Sequence, residues 1–449
     1  RFGKSLTLDT IATLFETGVE PYFKGTWIYD KWTEPTYPVL RLNFLNLDNF
    51  SIDDFKNKLN SYITEFANKI GVKEYAEKKE PEDSIDSMLE KLREEKRQIV
   101  ILIDEYDYQL TSNINHDDLY KQFQQKIKRF YANIKDKLAI KFLGITGVTR
   151  LKDVEIFSIG SDINDITNES AFSQLIGFTR DEIKKYYIDY LKLAASYENK
   201  CRVEEVTDAQ IESMLDMMAQ NYDGYCFDED YEKKVFNTWS VNKFFQTMVG
   251  KKKVQFGEYW YDNGGLPSIL VNYLKTHELN IFEYLDKDKF LKVSSDDFKN
   301  PTALTTINQN VLMCQTGYLT LRSDLNKTST VALGIPNGEI YKALNRLLAN
   351  NIFKGNTDIT DDYGRSLLEV GTVDDIINLF NSALNSVSYD NYPIVSESSV
   401  QNMLKLYLLG AHQKVLSEVH EAKGRADLVV NTDNRRIVFE FKYAKNETE

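Results

Sequence analysis

The stretch Ile99-Val100-Ile101-Leu102-Ile103-Asp104-Glu105-Tyr106-Asp107 decides the fold. Five apolar residues run without a break into two adjacent acids. So short a run, bounded by charge, suits a strand buried on both faces, as in a parallel sheet. An enzyme that cradles nucleotide phosphates needs a carboxylate at the C-terminal end of such a strand, to orient a Mg²⁺ shell. Asp104 is placed for that. Glu105 follows directly, where a carboxylate accepts a proton from an attacking water. Buried carboxylates are costly, so two in succession need a reason; the plain alternative is polarity at a strand end. Asp107 reads as a helix cap or a salt-bridge partner.

Working outward, the chain opens Arg1-Phe2-Gly3-Lys4-Ser5 and enters an amphipathic stretch, SLTLDTIATLFE. A phosphate loop needs glycine so that backbone N–H groups can wrap the phosphates. It needs a Lys to reach the β- and γ-phosphates and a hydroxyl to hold Mg²⁺. Gly3, Lys4 and Ser5 supply these last three positions. By itself the tripeptide also fits a surface turn and helix cap. There is no initiator Met and no strand before Arg1, so the chain is expected to start inside its own loop.

On the other side of the apolar run, the spacing predicts helices over 51–70, 84–96 and 119–137. Strands are predicted over Tyr37–Phe44 and Ala139–Thr146, the second as a buried strand. This strand–helix alternation is the α/β signature. The second strand ends FLGITGVTR, and in a parallel sheet that end faces the nucleotide. Thr146 is then a candidate to sense the γ-phosphate and Arg150 to meet its charge; an ordinary strand end with a surface arginine is the alternative.

Composition is that of a globular protein: 449 residues with 42% hydrophobic and 27% charged side chains, enough for roughly two to four domains. Cys201, Cys226 and Cys314 are far apart and show no CxxC, which argues against a disulfide framework or a cysteine zinc site and fits a reducing cytoplasm. The four histidines form no ligand pattern. No apolar run approaches a membrane span. The formal net charge of −13 rules out nucleic-acid binding through the overall field. A local basic run, Lys126–Lys141, is a candidate contact; a helix with a solvated basic face is the alternative.

RFGKSLTLDTI, ILIDEYD and FLGITGVTRLKDVEIFSIGSDINDIT together resemble the AAA-ATPase-like family of bacterial and archaeal proteins. YDGYCFD and VFNTWSVNKFF…YWYDNGGLP resemble its later blocks, so the likeness runs over most of residues 1–270. It implies ATP binding and ATP hydrolysis, with Gly3, Lys4, Ser5, Asp104, Thr146 and Arg150 at the nucleotide and Ser5 and Asp104 at Mg²⁺. It also leaves room for a homo-oligomer, in which Arg150 would act in cis or across subunits.

At the other end, GRADLVV and RRIVFEFKY are β-type runs separated by a polar turn. Side chains alternate along a strand, so Glu440 and Lys442 share a face. With the turn at Thr432–Arg435, Asn431 pairs with Arg436 and Asp427 falls opposite Glu440, their Cβ atoms about 4.5–5.5 Å apart. Facing like charges are destabilising without an ion between them. A divalent ion there would polarise a phosphodiester oxygen, and Lys442 would position the water or stabilise developing charge. The alternative is a wet hairpin face on which Arg425, Asp427, Glu440 and Lys442 pair among themselves.

The spacing D-x₁₂-E-x-K, carried by Ala426-Asp427 and Glu440-Phe441-Lys442, resembles the PD-(D/E)xK nuclease superfamily over about Thr372–Glu449. That likeness adds Glu397 as a further metal-side acid and Glu418 as a weaker one; a helix-start carboxylate and a surface charge are their alternatives. The chain ends soon after Lys442, so the remaining strand and helices of that fold are expected to be absent.

The expected architecture is an α/β P-loop domain over 1–178, a helical lid-like region over 179–300, a winged-helix-like connector over 301–371, and a partial restriction-endonuclease-like domain over 372–449. The expected function is an ATPase coupled to a Mg²⁺-dependent nuclease in the cytoplasm, off the membrane, meeting nucleic acid through its C-terminal domain. A nucleotide-switched binding protein whose hairpin acids are structural is the other reading. An ATPase-only remodeller is a third.

Overall fold

Alternation along the apolar run sets the layers of the first domain. The computed structural model describes residues 2–444 except 136, 151–162, 263–267, 276, 278, 279, 302, 305, 354–361, 389, 412, 422 and 423. Parts of the block after Arg150 and of the stretch after Tyr259 therefore lie outside the described residues. Strands β1 (Val39–Asn43), β2 (Ile99–Asp104) and β3 (Ile140–Ile145) form a parallel sheet in the order β1-β2-β3. All six residues of β2 are buried. Val100 and Leu102 join Val39 against Ala12 and Phe15 of the Lys4–Thr17 helix. Ile99, Ile101 and Ile103 face the opposite way, into a core with Leu59 of the Ile52–Lys69 helix, Met88 of the Pro81–Glu94 helix and Phe123 of the Asp117–Ile134 helix. Each such side chain removed from water contributes about 1.5–3 kcal/mol. Arg41, on the Val39 face of β1, reaches Asp9 and, at 2.5 Å, Glu16 of the first helix.

Helix starts follow local chemistry. The Ser51 hydroxyl accepts the Asp54 N–H at the head of Ile52–Lys69, and Pro81 opens the Pro81–Glu94 helix where its missing N–H costs nothing. The strand expected over Ala139–Thr146 forms as β3, but not as a buried strand. It is half-exposed, with Phe142 39% accessible. The reason is topological: among the described residues β3 pairs with β2 alone. Three lysines of the Lys126–Lys141 run are paired with acids, while Lys128 and Arg129 are exposed. Lys126 binds Glu80 and, at 2.8 Å, Glu82, Lys137 binds Asp86 at 2.5 Å, and Lys141 binds Glu34 at 2.9 Å.

Four helices, Arg180–Tyr186, Ile188–Asn199, Asp208–Tyr222 and Thr238–Lys251, share a second core around Leu191, Met214, Met218, Phe244 and Met248. Thr179 and Thr207 start two of them with reciprocal side-chain caps from Glu182 and Gln210. Further on, β4 (Leu291–Ser294), β5 (Thr320–Leu321) and β6 (Thr330–Gly334) make an antiparallel sheet in the order β4-β6-β5. The helices Gln309–Gln315 and Gly338–Ile352 flank its β5–β6 hairpin in sequence. The Gly338–Ile352 helix packs closely on the Glu397–Gly410 helix: a Cβ on Gly410 would lie 2.4 Å from that of Ala349. The last sheet is β7 (Lys414–Glu421), β8 (Gly424–Asn431) and β9 (Arg436–Phe439), antiparallel in chain order. Among the described residues no helix is long and apolar enough to cross a membrane.

Candidate functional site

Even-numbered residues of β2 face the first helix, so Asp104 ends the strand pointing toward that helix's N-terminus. The Ser5 hydroxyl donates to Asp104 Oδ2 at 2.5 Å. The Lys4 ammonium crosses to the carbonyl of Gly147, just beyond β3, at 2.5 Å. Three segments distant in the chain thus meet at one corner of the sheet. Gly3 stands before the helix with φ 95°, in the left-handed region, and nothing lies within 4 Å of a Cβ built there. The demand for glycine is therefore one of backbone conformation. The N–H groups that follow open a 14-residue helix, whose positive end favours an anion.

Glu105 has φ 52°, a conformation that costs an L-residue about 1–2 kcal/mol. Burial pushes its carboxyl above the usual range. The Lys4 charge opposes this, and the neighbouring Asp107 and Asp104 charges add to it. A half-buried, strained acid beside a lysine and a hydroxyl–carboxylate pair suits a base poised for proton transfer.

The opposite wall is a staple. The Thr146 N–H donates to Ile103 and its carbonyl accepts from Tyr106, extending the β2–β3 pairing. Asp107 occupies the cap position of the Tyr108–Ser112 helix but makes no side-chain cap. Instead its carboxylate, in a residue only 1% exposed, accepts the Val148 and Thr149 N–H groups and the Thr149 hydroxyl. The expected cap or salt bridge is corrected to a clamp on the loop after β3. Gly147 leaves room for it, since a Cβ there would lie 2.5 Å from the Asp107 carboxylate and the Tyr106 ring. Arg150 lies farther round. Its Nε is 2.6 Å from Asp165 Oδ2, a close charge pair without an aligned hydrogen bond, and its N–H donates to the Gln315 side chain at 3.3 Å. Gly3, Lys4, Ser5, Asp104, Glu105 and Thr146 are gathered at the corner, whereas the Arg150 guanidinium is held by Asp165.

In the last sheet β8 and β9 pair with Asn431 opposite Arg436 and Leu428 opposite Phe439. Pairing stops there, and Glu440 is the first residue after β9; the same register carried one residue on would set it opposite Asp427. The β7–β8 register runs through Ser417↔Leu428 and Val419↔Ala426, which sets Glu418 opposite Asp427 on the other side. Glu418, Asp427 and Glu440 thus fall at one level of the register, though the ladders pair neither Glu418 nor Glu440 with Asp427. Asp427 is half-buried and accepts the Phe441 N–H at 2.9 Å. Glu418 has φ 54°, which interrupts the ladder, and its carboxylate binds Arg425 at 2.6 Å. Gln401, one turn after Glu397 on the Glu397–Gly410 helix, donates to Glu418 at 3.2 Å and to the Asp427 carbonyl at 3.0 Å. Lys442 lies 3.9 Å from Glu397, which is the first residue of its helix. Among the described residues no three His, Cys, Asp or Glu side chains converge to hold a metal. Mg²⁺, a hard cation, uses one or two carboxylates and keeps the rest of its shell for water and phosphate, so Asp427 and Glu440 are the residues that could hold it.

Residues 1–157 match the family model of the AAA-ATPase-like proteins, described as predicted AAA-ATPases, and residues 395–449 match that of the PD-(D/E)XK nuclease superfamily. An AAA-ATPase-like domain and a PD-(D/E)XK nuclease-superfamily domain share this chain. The chain is also 24% identical, over 453 residues, to an uncharacterized protein in the vnfD 5' region of Azotobacter chroococcum mcd 1, an alignment covering 98% of this chain and 81% of the relative. No solved structure matches it. The ATPase-like domain holds the Gly3–Ser5 corner and the nuclease-superfamily domain holds Glu418, Asp427 and Glu440. The sequence singled out neither Gln401 nor Phe2; for Gln401 the available signal is its spacing of four from Glu397, which puts both on one helix face.

Proposed function

We propose that the chain is an ATP-binding, ATP-hydrolysing module coupled to a Mg²⁺-dependent nuclease domain that cleaves phosphodiester bonds in nucleic acid. The observation that carries this reading is the Ser5–Asp104 hydrogen bond of 2.5 Å beside the Lys4–Gly147 contact. It brings a hydroxyl, a carboxylate and an ammonium to one helix N-terminus. Lys4 would bind the β- and γ-phosphates, Ser5 and Asp104 would hold Mg²⁺, and Glu105 would take the proton of the attacking water. Thr146 is the residue of β3's end nearest that role of sensing the γ-phosphate. Arg150 would meet phosphate charge only after leaving Asp165.

In the C-terminal domain Asp427 and Glu440 would hold a divalent ion, whose contribution is Lewis-acid polarisation of the phosphodiester. Lys442 would position water or stabilise developing negative charge, and Glu397 would join from the helix side. Nucleic acid is the proposed partner of this domain, and self-association the proposed assembly of the ATPase-like one. A second reading, a nucleotide-switched binding protein, draws support from the Lys442–Glu397 pairing and from the absence of a three-acid cluster among the described residues.

The test is Mg²⁺-dependent ATP turnover and cleavage of DNA and RNA by the full chain. Asp427→Ala and Lys442→Ala abolish cleavage if the nuclease reading holds. Cleavage of no substrate, with turnover or nucleotide binding retained, favours the switch.

A further inference from the structure

Phe2 sits immediately before the glycine of the phosphate loop, yet its ring contacts are with residues far along the chain. Its ring packs edge-on against Tyr225 at 4.6 Å, Phe227 at 5.2 Å and Trp260 at 6.4 Å between centroids. Its carbonyl accepts the Gly177 N–H at 3.0 Å. None of these partners belongs to residues 1–157, the part that matches the ATPase family model. The socket is closely packed. Tyr225 and Trp260 are each 1% exposed and stack at 6.0 Å. The Trp260 backbone N–H donates to buried Glu339 at 2.9 Å. A Cβ on Gly317 would come within 2.6 Å of the Trp260 ring, and one on Gly177 within 2.6 Å of Val235.

We propose that Phe2 is a positioning residue for nucleotide binding, anchored in an aromatic socket of Tyr225, Phe227 and Trp260, all three beyond residues 1–157. The proposal rests on reading Gly3–Ser5 as a phosphate loop. A loop that wraps an anion must give up backbone freedom on binding, and a loop already held does so at lower cost. Phe2 fixes the chain one residue before Gly3, whose left-handed backbone turns the following N–H groups toward the helix axis. Edge-to-face ring contacts supply directionality as well as burial. The socket therefore raises affinity without touching a phosphate, and a change in the socket is felt at the loop.

The experiment is titration of the full chain with a fluorescent ATP analogue and Mg²⁺, alongside steady-state ATP turnover. The proteins are the unmodified chain, Phe2→Ala, Phe2→Leu, Phe227→Ala and the Phe2→Ala/Phe227→Ala double variant, each checked for folding by circular dichroism. The expected result is affinity lowered about tenfold in each alanine variant, with KM raised and kcat little changed. The double variant is expected to be no weaker than Phe2→Ala, because its partner ring is already gone, and Phe2→Leu recovers most of the loss. Wild-type affinity in a folded Phe227→Ala protein, or simple additivity in the double variant, overturns the anchor while leaving the nucleotide site standing. Failure of the unmodified chain to bind Mg²⁺-ATP overturns the phosphate-loop reading and the anchor with it.

Discussion

Asp107 and Thr149 are joined twice: the Thr149 N–H and hydroxyl both donate to Asp107 Oδ2, at 2.6 and 2.5 Å, in a region where the two residues are 1% and 4% exposed. The pair holds the loop after β3 against the loop after β2, so that Gly147 meets Lys4. Hydrogen bonds to a charged acceptor are worth about 1.5–3 kcal/mol each, and a buried donor left unpaired costs about as much again as a neutral bond gains. Asp107→Ala is therefore expected to lower stability by at least about 2 kcal/mol in denaturant unfolding, with Asp107→Asn milder because one oxygen still accepts. Nucleotide affinity is expected to fall with it, since the Gly147 carbonyl loses its mooring. Unchanged unfolding in Asp107→Ala would show that the clamp is not needed.

Glu105 is raised above the ordinary carboxylate range, chiefly by burial. As the proposed base it must be ionised, so the acid limb of the pH profile of any ATP turnover is expected above the ordinary glutamate pKa. Glu105→Gln is expected to lose about 10²–10⁴ in turnover while still binding nucleotide. The stability effect has the opposite sense. The folded state holds the proton more tightly than the unfolded one, so stability falls as pH rises from the unfolded to the folded pKa. At neutral pH the glutamine variant is thus expected to melt higher than the parent. Loss of turnover together with a lower melting temperature would indicate a broken fold instead of a missing base.

Glu339 offers a second pH test away from either site. Burial pushes its carboxyl up to about 7, against the pull of the Ser240 hydroxyl and the Trp260 and Tyr259 N–H groups. It accepts from Ser240 at 2.7 Å and Trp260 at 2.9 Å. Its contribution is greatest below the unfolded glutamate pKa and is lost as pH climbs toward 7, by an amount on the order of 3 kcal/mol. A glutamine can still accept from Trp260 with its oxygen and donate to Ser240 with its amide. Glu339→Gln is expected to remove this loss, so that denaturant midpoints at pH 5 and pH 8 converge relative to the parent.

Much of this was legible in the residues themselves. Period-two alternation in Ile99–Asp104 is enough to put Val100, Leu102 and Asp104 on one face, and the first helix covers that face. The Asn431–Arg436 register follows from the length of the turn. What escaped depended on partners remote in sequence. The exposure of β3 reflects which edge is paired, not its apolar composition. Asp107 is a cap by position and a clamp by orientation, because two N–H groups about 41 residues away compete for it. Arg150 finds Asp165, and Phe2 finds rings from beyond residue 220. Local propensity carries no information about such meetings.

The close crossing of the Gly338–Ile352 and Glu397–Gly410 helices makes Gly410 a sensitive position. A Cβ there would lie 2.4 Å from that of Ala349, and neither neighbour is a flexible side-chain end that could swing aside. Gly410→Ala must push the helices apart, and overpacking of this kind costs about 1–3 kcal/mol. The displaced helix carries Gln401, which donates to Glu418 and to the Asp427 carbonyl. The shift is therefore expected to reach Glu418 and Asp427 and to weaken the proposed Mg²⁺-dependent cleavage at least as much as Gln401→Ala does. Pairing Gly410→Ala with Ala349→Gly relieves the contact, since the added methyl then faces an empty position. Recovery of both the unfolding midpoint and cleavage in the pair is the expected outcome; recovery of stability alone would place the acids beyond the influence of this crossing.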